Sequence, residues 1–358
     1  MGGRRRDPVR RWRPDRVEAM MDGCTSSLLA HRDAPAGAPS VRTPMSRPRP
    51  IYLDCDTGID DALALTYLLN SDGVRLAGIG TVSGNTSARE AAANTQSLLR
   101  AHGSVVPVAV GSHDPLDGRY RGGAPHVHGG NGIGDVSLPP GDDVTSETAP
   151  EMLLRLAREH GRDLDVVAIG PLTNIAHALA LDPTLPERVG TLTIMGGAVW
   201  APGNITAVAE ANIHNDAEAA RQVLAAGFTT VLVPLDVTLQ HCFDDEDAEV
   251  LAREATPLHV ALGAMLHRYL DFYESVDHVR RSPLHDPLAA AIAAGDLRID
   301  TRETGVAVTI GGPEHGRTVA TDEGPVARVV IGAEPATAAL IRDRIIAGPH
   351  PSHYAPRV

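Results

Sequence analysis

A single open α/β domain, with a mostly parallel central sheet flanked by helices, is the fold class this chain predicts. Apolar strand-like runs alternate with helix-period segments over most of the 358 residues. That alternation implies crossover connections and therefore parallel strands covered on both faces. Unusual polar residues also fall just after the strand-like runs, where ligand crevices of such sheets lie.

In chain order, residues 50–53 read as the first strand, and 60–70 as a helix with apolar positions at 62, 63, 65, 68 and 69. Residues 74–81 read as a strand, 87–102 as an amphipathic helix and 105–110 as a strand. The stretch 163–169 is a strand followed by a helix over 174–180. Residues 191–195 form a strand ending in Gly196-Gly197, then come a helix at 217–226 and a strand at 229–235. Residues 245–254, 257–273 and 286–294 read as helices, and 306–309 with 318–330 as a late β segment. No repeat and no further change of composition follow residue 50, so one domain over 47–358 is expected.

The first fifty residues differ. They hold eleven Arg against five acids, a balance of +6, so the rest carries −13 − 6 = −19. Without hydrophobic periodicity, 1–46 reads as a disordered basic extension or a start codon assigned too early, with Met45 as the alternative start. The segment lacks the apolar core of a secretory signal, and no stretch approaches a membrane span. An acidic body lacks the positive field that nucleic acid requires, so neither nucleic acid nor membrane is an expected partner. Three cysteines, Cys24, Cys55 and Cys242, give no disulfide framework and no thiolate zinc site, and fit a cytoplasmic setting.

The densest chemistry is Asp54-Cys-Asp56-Thr-Gly-Ile-Asp60-Asp61, four carboxylates within eight residues at a strand-to-helix turn. Acids this close repel unless a positive partner sits among them. The chain has no lysine, all 32 basic residues being Arg, so a hard divalent cation held by oxygen ligands is the first expectation. Helix capping explains one or two of these acids, not four.

Other stations follow other strands. Asn85 lies in Ser83-Gly-Asn-Thr86, and Thr173 and Asn174 follow Gly170-Pro-Leu. Glu210 and Asn212, two apart, share one side if the segment is extended, and carboxylate plus amide suits a vicinal diol. Asn204 precedes them. His285-Asp286-Pro287 opens an Ala-rich helix; capping and a loop histidine are the plain reading, a distant carboxylate ligand and a proton donor the functional one. Tyr269 and Tyr273 share a helical face suited either to core packing or to stacking on a flat heterocycle. His126-Val-His128-Gly-Gly-Asn-Gly132 has no P-loop pattern and reads as a flexible loop over the site.

Taken together, the DxDxGxDDxxAL block from Asp54 to Leu65, Gly84-Asn85, His128-Gly129, Gly170-Pro-Leu-Thr173-Asn174, Met195-Gly-Gly197, Asn204…Glu210-Ala-Asn212 and His285-Asp286-Pro287 resemble the inosine/uridine-preferring nucleoside hydrolase family. The resemblance spans roughly residues 48–345 and implies a Rossmann-like nucleoside hydrolase fold that cleaves ribonucleosides to ribose and free base, in nucleoside salvage or catabolism. It implies calcium bound by Asp56, Asp61, Asp286 and the Thr173 carbonyl, with Asp56 as general base. It further implies ribose contacts from Asp60, Asn85, Glu210, Asn212 and Asn204. His285 would lie beside the base as general acid, with His128, Tyr269 and Tyr273 completing that pocket. Asp54 would be a supporting residue, and the assembly a homotetramer or homodimer.

Two other readings begin from the same residues. Asp54-Cys-Asp56-Thr57 also fits the nucleophile motif of haloacid-dehalogenase-type phosphatases, with Asp54 phosphorylated. That family relies on a downstream lysine, and the chain has none. A calcium-dependent nucleoside-binding protein without turnover is the other, although nothing that catalysis needs is missing.

Overall fold

The computed structural model describes residues 48–254 and 256–348. The expectations for residues 1–46, and Cys24 with them, lie outside the described residues.

The first strand, β1 (Arg49–Cys55), alternates its side chains between two apolar layers. Ile51, Leu53 and Cys55 pack into one core and Tyr52 into the other. Burial on both faces is why this strand reads as a continuous apolar run rather than as an alternation. Around it lie β2 (Val74–Thr81), β3 (Val108–Val110), β4 (Asp165–Ala168), β5 (Thr191–Met195) and β6 (Thr229–Val233). The remaining strands of the main sheet are β9 (Ile299–Val308), β10 (Thr318–Thr321) and β11 (Val326–Ala333); β7 (Cys242–Phe243) and β8 (Ser282–Pro283) form a separate two-stranded ladder.

The nine-stranded sheet runs β10-β9-β11-β6-β5-β4-β1-β2-β3. Every pair from β3 to β11 is parallel; only β9 runs the other way, antiparallel to both β11 and β10. The order 3-2-1-4-5-6 reverses between β1 and β4, and ligands of doubly wound sheets bind in the crevice at that switch point.

The major helices are α1 (Ile59–Leu69), α2 (Ala88–His102), α3 (Ala149–His160), α4 (Thr173–Leu181), α5 (Ala217–Ala225), α6 (Asp245–Arg253), α7 (Pro257–Asp277), α8 (His285–Ala294) and α9 (Thr337–Ile346). The fold class matches the sequence expectation, and several boundaries do not. The strand expected at 163–169 shortens because Gly161–Asp163 forms a tight 3-10 turn. The strand expected at 105–110 pairs only from Val108. The late β segment is three strands, with β9 starting at Ile299 and turns separating β10 from β11. Helices α3 and α9 went unrecognised, although α3 opens on Thr148 with Glu151 folded back on it, Oε2 accepting from the Thr148 N–H at 2.8 Å, the capping-box pattern.

Candidate active site

Each strand leaving the switch point hands a polar residue to one edge of the sheet. β1 delivers Asp54 and Asp56, and the next turn begins α1 with Asp60 and Asp61. Asp61 reaches back to accept from the Gly58 N–H at 2.7 Å and the Asp56 N–H at 3.2 Å. Asn85, after β2, ties two acids together: its backbone N–H donates to Asp56 Oδ2 at 2.6 Å and its carboxamide to Asp61 Oδ2 at 3.1 Å. Glycines make room for this. A Cβ at Gly84 would collide with Asp56 Oδ2, and one at Gly170 would stand 2.9 Å from Asp56 Oδ1.

Asp60, Asp61 and Asp286 each present a carboxylate oxygen, all three within 4.8 Å of one another and buried. The resemblance gives Asp56, Asp61 and Asp286 to the metal and Asp60 to the ribose, and Asp60 also lies within this group. Asp56 remains close, as its charge helps to raise Asp286. Burial is the first cause that pushes these carboxyls up, and their mutual repulsion adds to it: Asp56 and Asp286 rise well above the usual carboxylate range, and Asp61 to about 7. The charges acting on Asp286 are Asp60, Asp61, Asp56 and Glu210, carboxylates all. Asp56 Oδ1 and Asp60 Oδ1 are buried without a hydrogen-bond partner. Orphaned oxygens in a cluster of repelling acids are what a hard cation satisfies, so the donor set fits a divalent metal.

Thr173 opens α4 and is buried, with its hydroxyl donating to Asp216 Oδ2 at 2.6 Å. The ligand group that the resemblance expects of Thr173 is its carbonyl. Asp216 itself, which sequence reading missed, also accepts from the Leu116 and Ala219 N–H groups and caps α5.

Glu210 and Asn212 do not sit on an extended segment, as their spacing had suggested. The chain turns helical over Ala211–Asn215 with Glu210 as its cap. Glu210 Oε1 accepts from the Asn212 N–H at 2.8 Å, and Oε2 accepts from Gly197 at 2.9 Å and Ile213 at 3.1 Å. The Asn212 amide donates to the carbonyls of Ile169 and Met195, the ends of β4 and β5. Both residues are buried. Asn204 is exposed, and its Oδ1 accepts from the Ala211 N–H at 3.0 Å, which holds the 198–208 loop to the same turn.

On the other side, His285 and Asp286 begin α8. The His285 ring lies between two hydroxyls, Thr238 Oγ1 at 2.9 Å from Nδ1 and Tyr273 at 3.0 Å from Nε2. Burial lowers His285 to about 4 despite the opposing charge of Asp60, so its ring rests neutral at neutral pH. Tyr269 packs against Tyr273 with ring centroids 5.0 Å apart and donates to Asp60. His128 corrects the flexible-loop expectation. It ends a helical turn (Pro125–His128), is buried, accepts from the Ile59 N–H at 3.1 Å, and lies 5.5 Å from the Tyr269 ring. Thr238 gave no signal in the sequence, since its partner lies 47 residues away.

Asp54 is wholly buried, with Oδ1 accepting from the Tyr52 hydroxyl at 3.0 Å and the Asn174 amide at 2.9 Å. Such an enclosed carboxyl does not suit a phosphatase nucleophile, which must meet its substrate in line.

The sequence model of the inosine-uridine preferring nucleoside hydrolases matches residues 51–341. Uridine nucleosidase 1 of Arabidopsis thaliana is 36% identical over 250 residues, covering 69% of this chain and 74% of its own. A plant nucleoside hydrolase structure superposes with a TM-score of 0.80 at 30% identity, over 84% of this chain and 99% of that one. The purine-preferring ribonucleoside hydrolase from Gardnerella vaginalis does so with a TM-score of 0.80 at 31% identity, over 83% and 98%.

Proposed function

The chain belongs to the inosine-uridine preferring nucleoside hydrolase family and is a ribonucleoside hydrolase, and from that premise we propose that it uses calcium, with Asp56 as general base and His285 beside the departing base. The observation that carries the reading is the buried carboxylate cluster at the β1/β4 switch point with its two orphaned oxygens.

Asp60, Asp61 and Asp286, with Asp56 and the Thr173 carbonyl beside them, would hold the cation. When bound, calcium supplies the positive charge that keeps these carboxyls ionised, orients vicinal hydroxyls, and makes water a better nucleophile. The chain's own residues do the rest. Asp56 Oδ1, free of protein partners, takes the proton of the water whose oxygen adds to the anomeric carbon. The C1′–N bond breaks with its electron pair passing to the base nitrogen. Positive charge then builds on the ribose among ionised carboxylates, an arrangement that favours an oxocarbenium-like transition state. His285 and Tyr273 relay to the base the proton that it requires, and the pair regains one from solvent as Asp56 releases the proton that it took. Asn85, Glu210, Asn212 and Asn204 hold the ribose hydroxyls, and His128 with the Tyr269/Tyr273 face borders the base.

The similar proteins include a uridine nucleosidase and a purine-preferring hydrolase, so both base classes belong in the test. Inosine, adenosine, uridine and cytidine are incubated with wild type and with Asp56→Ala, with calcium and after chelation, and free ribose is measured. Turnover by wild type with calcium, and its loss in the variant by at least about 100-fold, is expected. Wild-type turnover by Asp56→Ala would remove Asp56 from the role of base. Nucleoside salvage in the cytoplasm, by a homodimer or homotetramer, is the setting proposed for this activity.

A further inference from the structure

Two hydroxyls bracket the His285 ring. The Tyr273 hydroxyl lies 3.0 Å from Nε2, a contact in which either atom can donate. A neutral imidazole carries one N–H, so a ring whose Nε2 donates beside the departing base has Nδ1 as its acceptor. The group facing Nδ1 is the Thr238 hydroxyl at 2.9 Å. Thr238 is 0% exposed and His285 4%, so no bulk water competes for that nitrogen.

We propose that Thr238 is a positioning residue for the hydrolysis: by donating from Oγ1 to His285 Nδ1, it fixes the Nε2–H tautomer and turns that N–H toward the Tyr273 side of the site, where the leaving base needs a donor. The proposal rests on the reading of His285 as the group beside the base. Thr238 reaches this position because the helical turn Leu235–Thr238, directly after β6, lies against the first turn of α8. Nothing in the argument asks Thr238 to touch substrate. The residue acts through the ring that it holds.

The test compares Thr238→Val, which keeps the shape and removes the donor, with Thr238→Ser, which keeps the hydroxyl. Thr238→Val is expected to lower kcat on inosine about 10- to 100-fold, part of what a positioned acid contributes, with KM changed less than about twofold. It should leave turnover of p-nitrophenyl riboside, whose leaving group needs no proton, unchanged. Thr238→Ser should restore inosine turnover. Imidazole 15N shifts read the same contact without a substitution: wild type should show a single Nε2–H tautomer for His285. A mixed or Nδ1–H tautomer in wild type, or equal slowing of both substrates by Thr238→Val, would overturn the proposal. His285→Ala separates the two levels. If it slows inosine selectively while Thr238→Val does not, the proposal alone fails; if His285→Ala slows both substrates equally, the reading of His285 fails and takes the proposal with it.

Discussion

The Tyr269 hydroxyl donates to Asp60 Oδ2 at 3.1 Å, bridging α7 to the first turn of α1 across 209 residues of sequence. The bridge fixes one oxygen of Asp60 and leaves the other, Oδ1, buried and unpartnered. Tyr269 therefore does more than offer a ring. Tyr269→Phe keeps the ring and removes a hydrogen bond to a charged acceptor, an interaction of about 1.5–3 kcal/mol. A fall of roughly 10- to 100-fold in kcat/KM follows from that range. Steady-state kinetics on inosine and uridine check it. A wild-type value in the phenylalanine variant would reduce Tyr269 to a stacking surface.

Metal removal should destabilise the protein more at high pH than at low pH. In the metal-free protein, burial and mutual repulsion raise Asp56 and Asp286 well above their unfolded values, and Asp61 to about 7. A raised folded-state carboxyl contributes stability that is present below the unfolded pKa and is lost as pH rises through the folded one. Between about pH 4 and 7 the folded metal-free chain thus holds more protons than the unfolded chain, and its stability falls by about 1.4 kcal/mol per pH unit for each such proton. A bound cation keeps these groups ionised and removes that slope. Melting with calcium and with chelator at pH 5.5 and pH 8 should show the gap in Tm widening with pH. A gap that is constant or narrows would place the cation elsewhere.

The histidines act in the opposite sense, on both forms of the protein. Burial lowers His128 to about 3 and His285 to about 4. Depressed folded-state values mean that stability is present above the unfolded pKa of about 6.5 and is lost as pH falls below it. His128 accepts from the Ile59 N–H, so protonation would also break that contact. His128→Gln is expected to flatten the acid limb of a Tm-versus-pH profile between about pH 6.5 and 4. An unaltered acid limb would mean that other groups dominate it.

Much of the site was legible because its residues follow strands of a doubly wound sheet, and the strand ends converge whatever the loops do. Asp56, Asp60, Asp61 and Asp286 could be picked out since four acids in eight residues, and an acid opening an apolar helix, violate ordinary burial preferences. Asn212 meets the chain beside the ends of β4 and β5, but period-2 spacing supposes a strand, and the Glu210 cap makes a helical turn. His128 looked mobile because glycines surround it, yet the backbone of α1 holds it. The contacts of Thr238 with His285 and of Asp216 with Thr173 and Leu116 span 47, 43 and 100 residues. Such contacts exist after folding and leave no pattern along the chain.

Asp286 is the carboxylate that arrives from farthest along the sequence, and its loss should separate metal binding from folding. It opens α8, whose apolar face packs in the core with α1, so Ala at 286 leaves the Leu288–Ala291 packing in place. Removing one of three clustered carboxylates should weaken calcium by at least about 100-fold, since loss of a partner behind a ligand already costs 10- to 100-fold. It also relieves repulsion on Asp60 and Asp61, so the chelated variant should melt no lower than the chelated wild type. Calorimetric calcium titration and melting read the two effects. Unchanged calcium affinity would exclude Asp286 from the ligand set.

Asp236 gathers three successive N–H groups, those of Val199, Trp200 and Ala201, at 2.8, 2.7 and 2.8 Å. Such a backbone nest around a carboxylate fixes a turn that apolar packing alone would not hold. The turn carries Trp200, which lies 5.1 Å under the Arg302 guanidinium, and leads to Asn204, whose side chain ties the loop to Ala211. Asp236→Ala leaves three donors without this acceptor, and the half-exposed turn admits water to them, so the effect falls on loop order rather than on the core. With Asn204 in its proposed place among the ribose contacts, KM for ribonucleosides should rise by roughly 10-fold, the equivalent of about 1.4 kcal/mol, with kcat changed less. The indole of Trp200 reports the same change: its emission should shift to the red as the turn opens. A red shift without a change in KM would separate the turn from substrate binding and remove Asn204 from the ribose contacts.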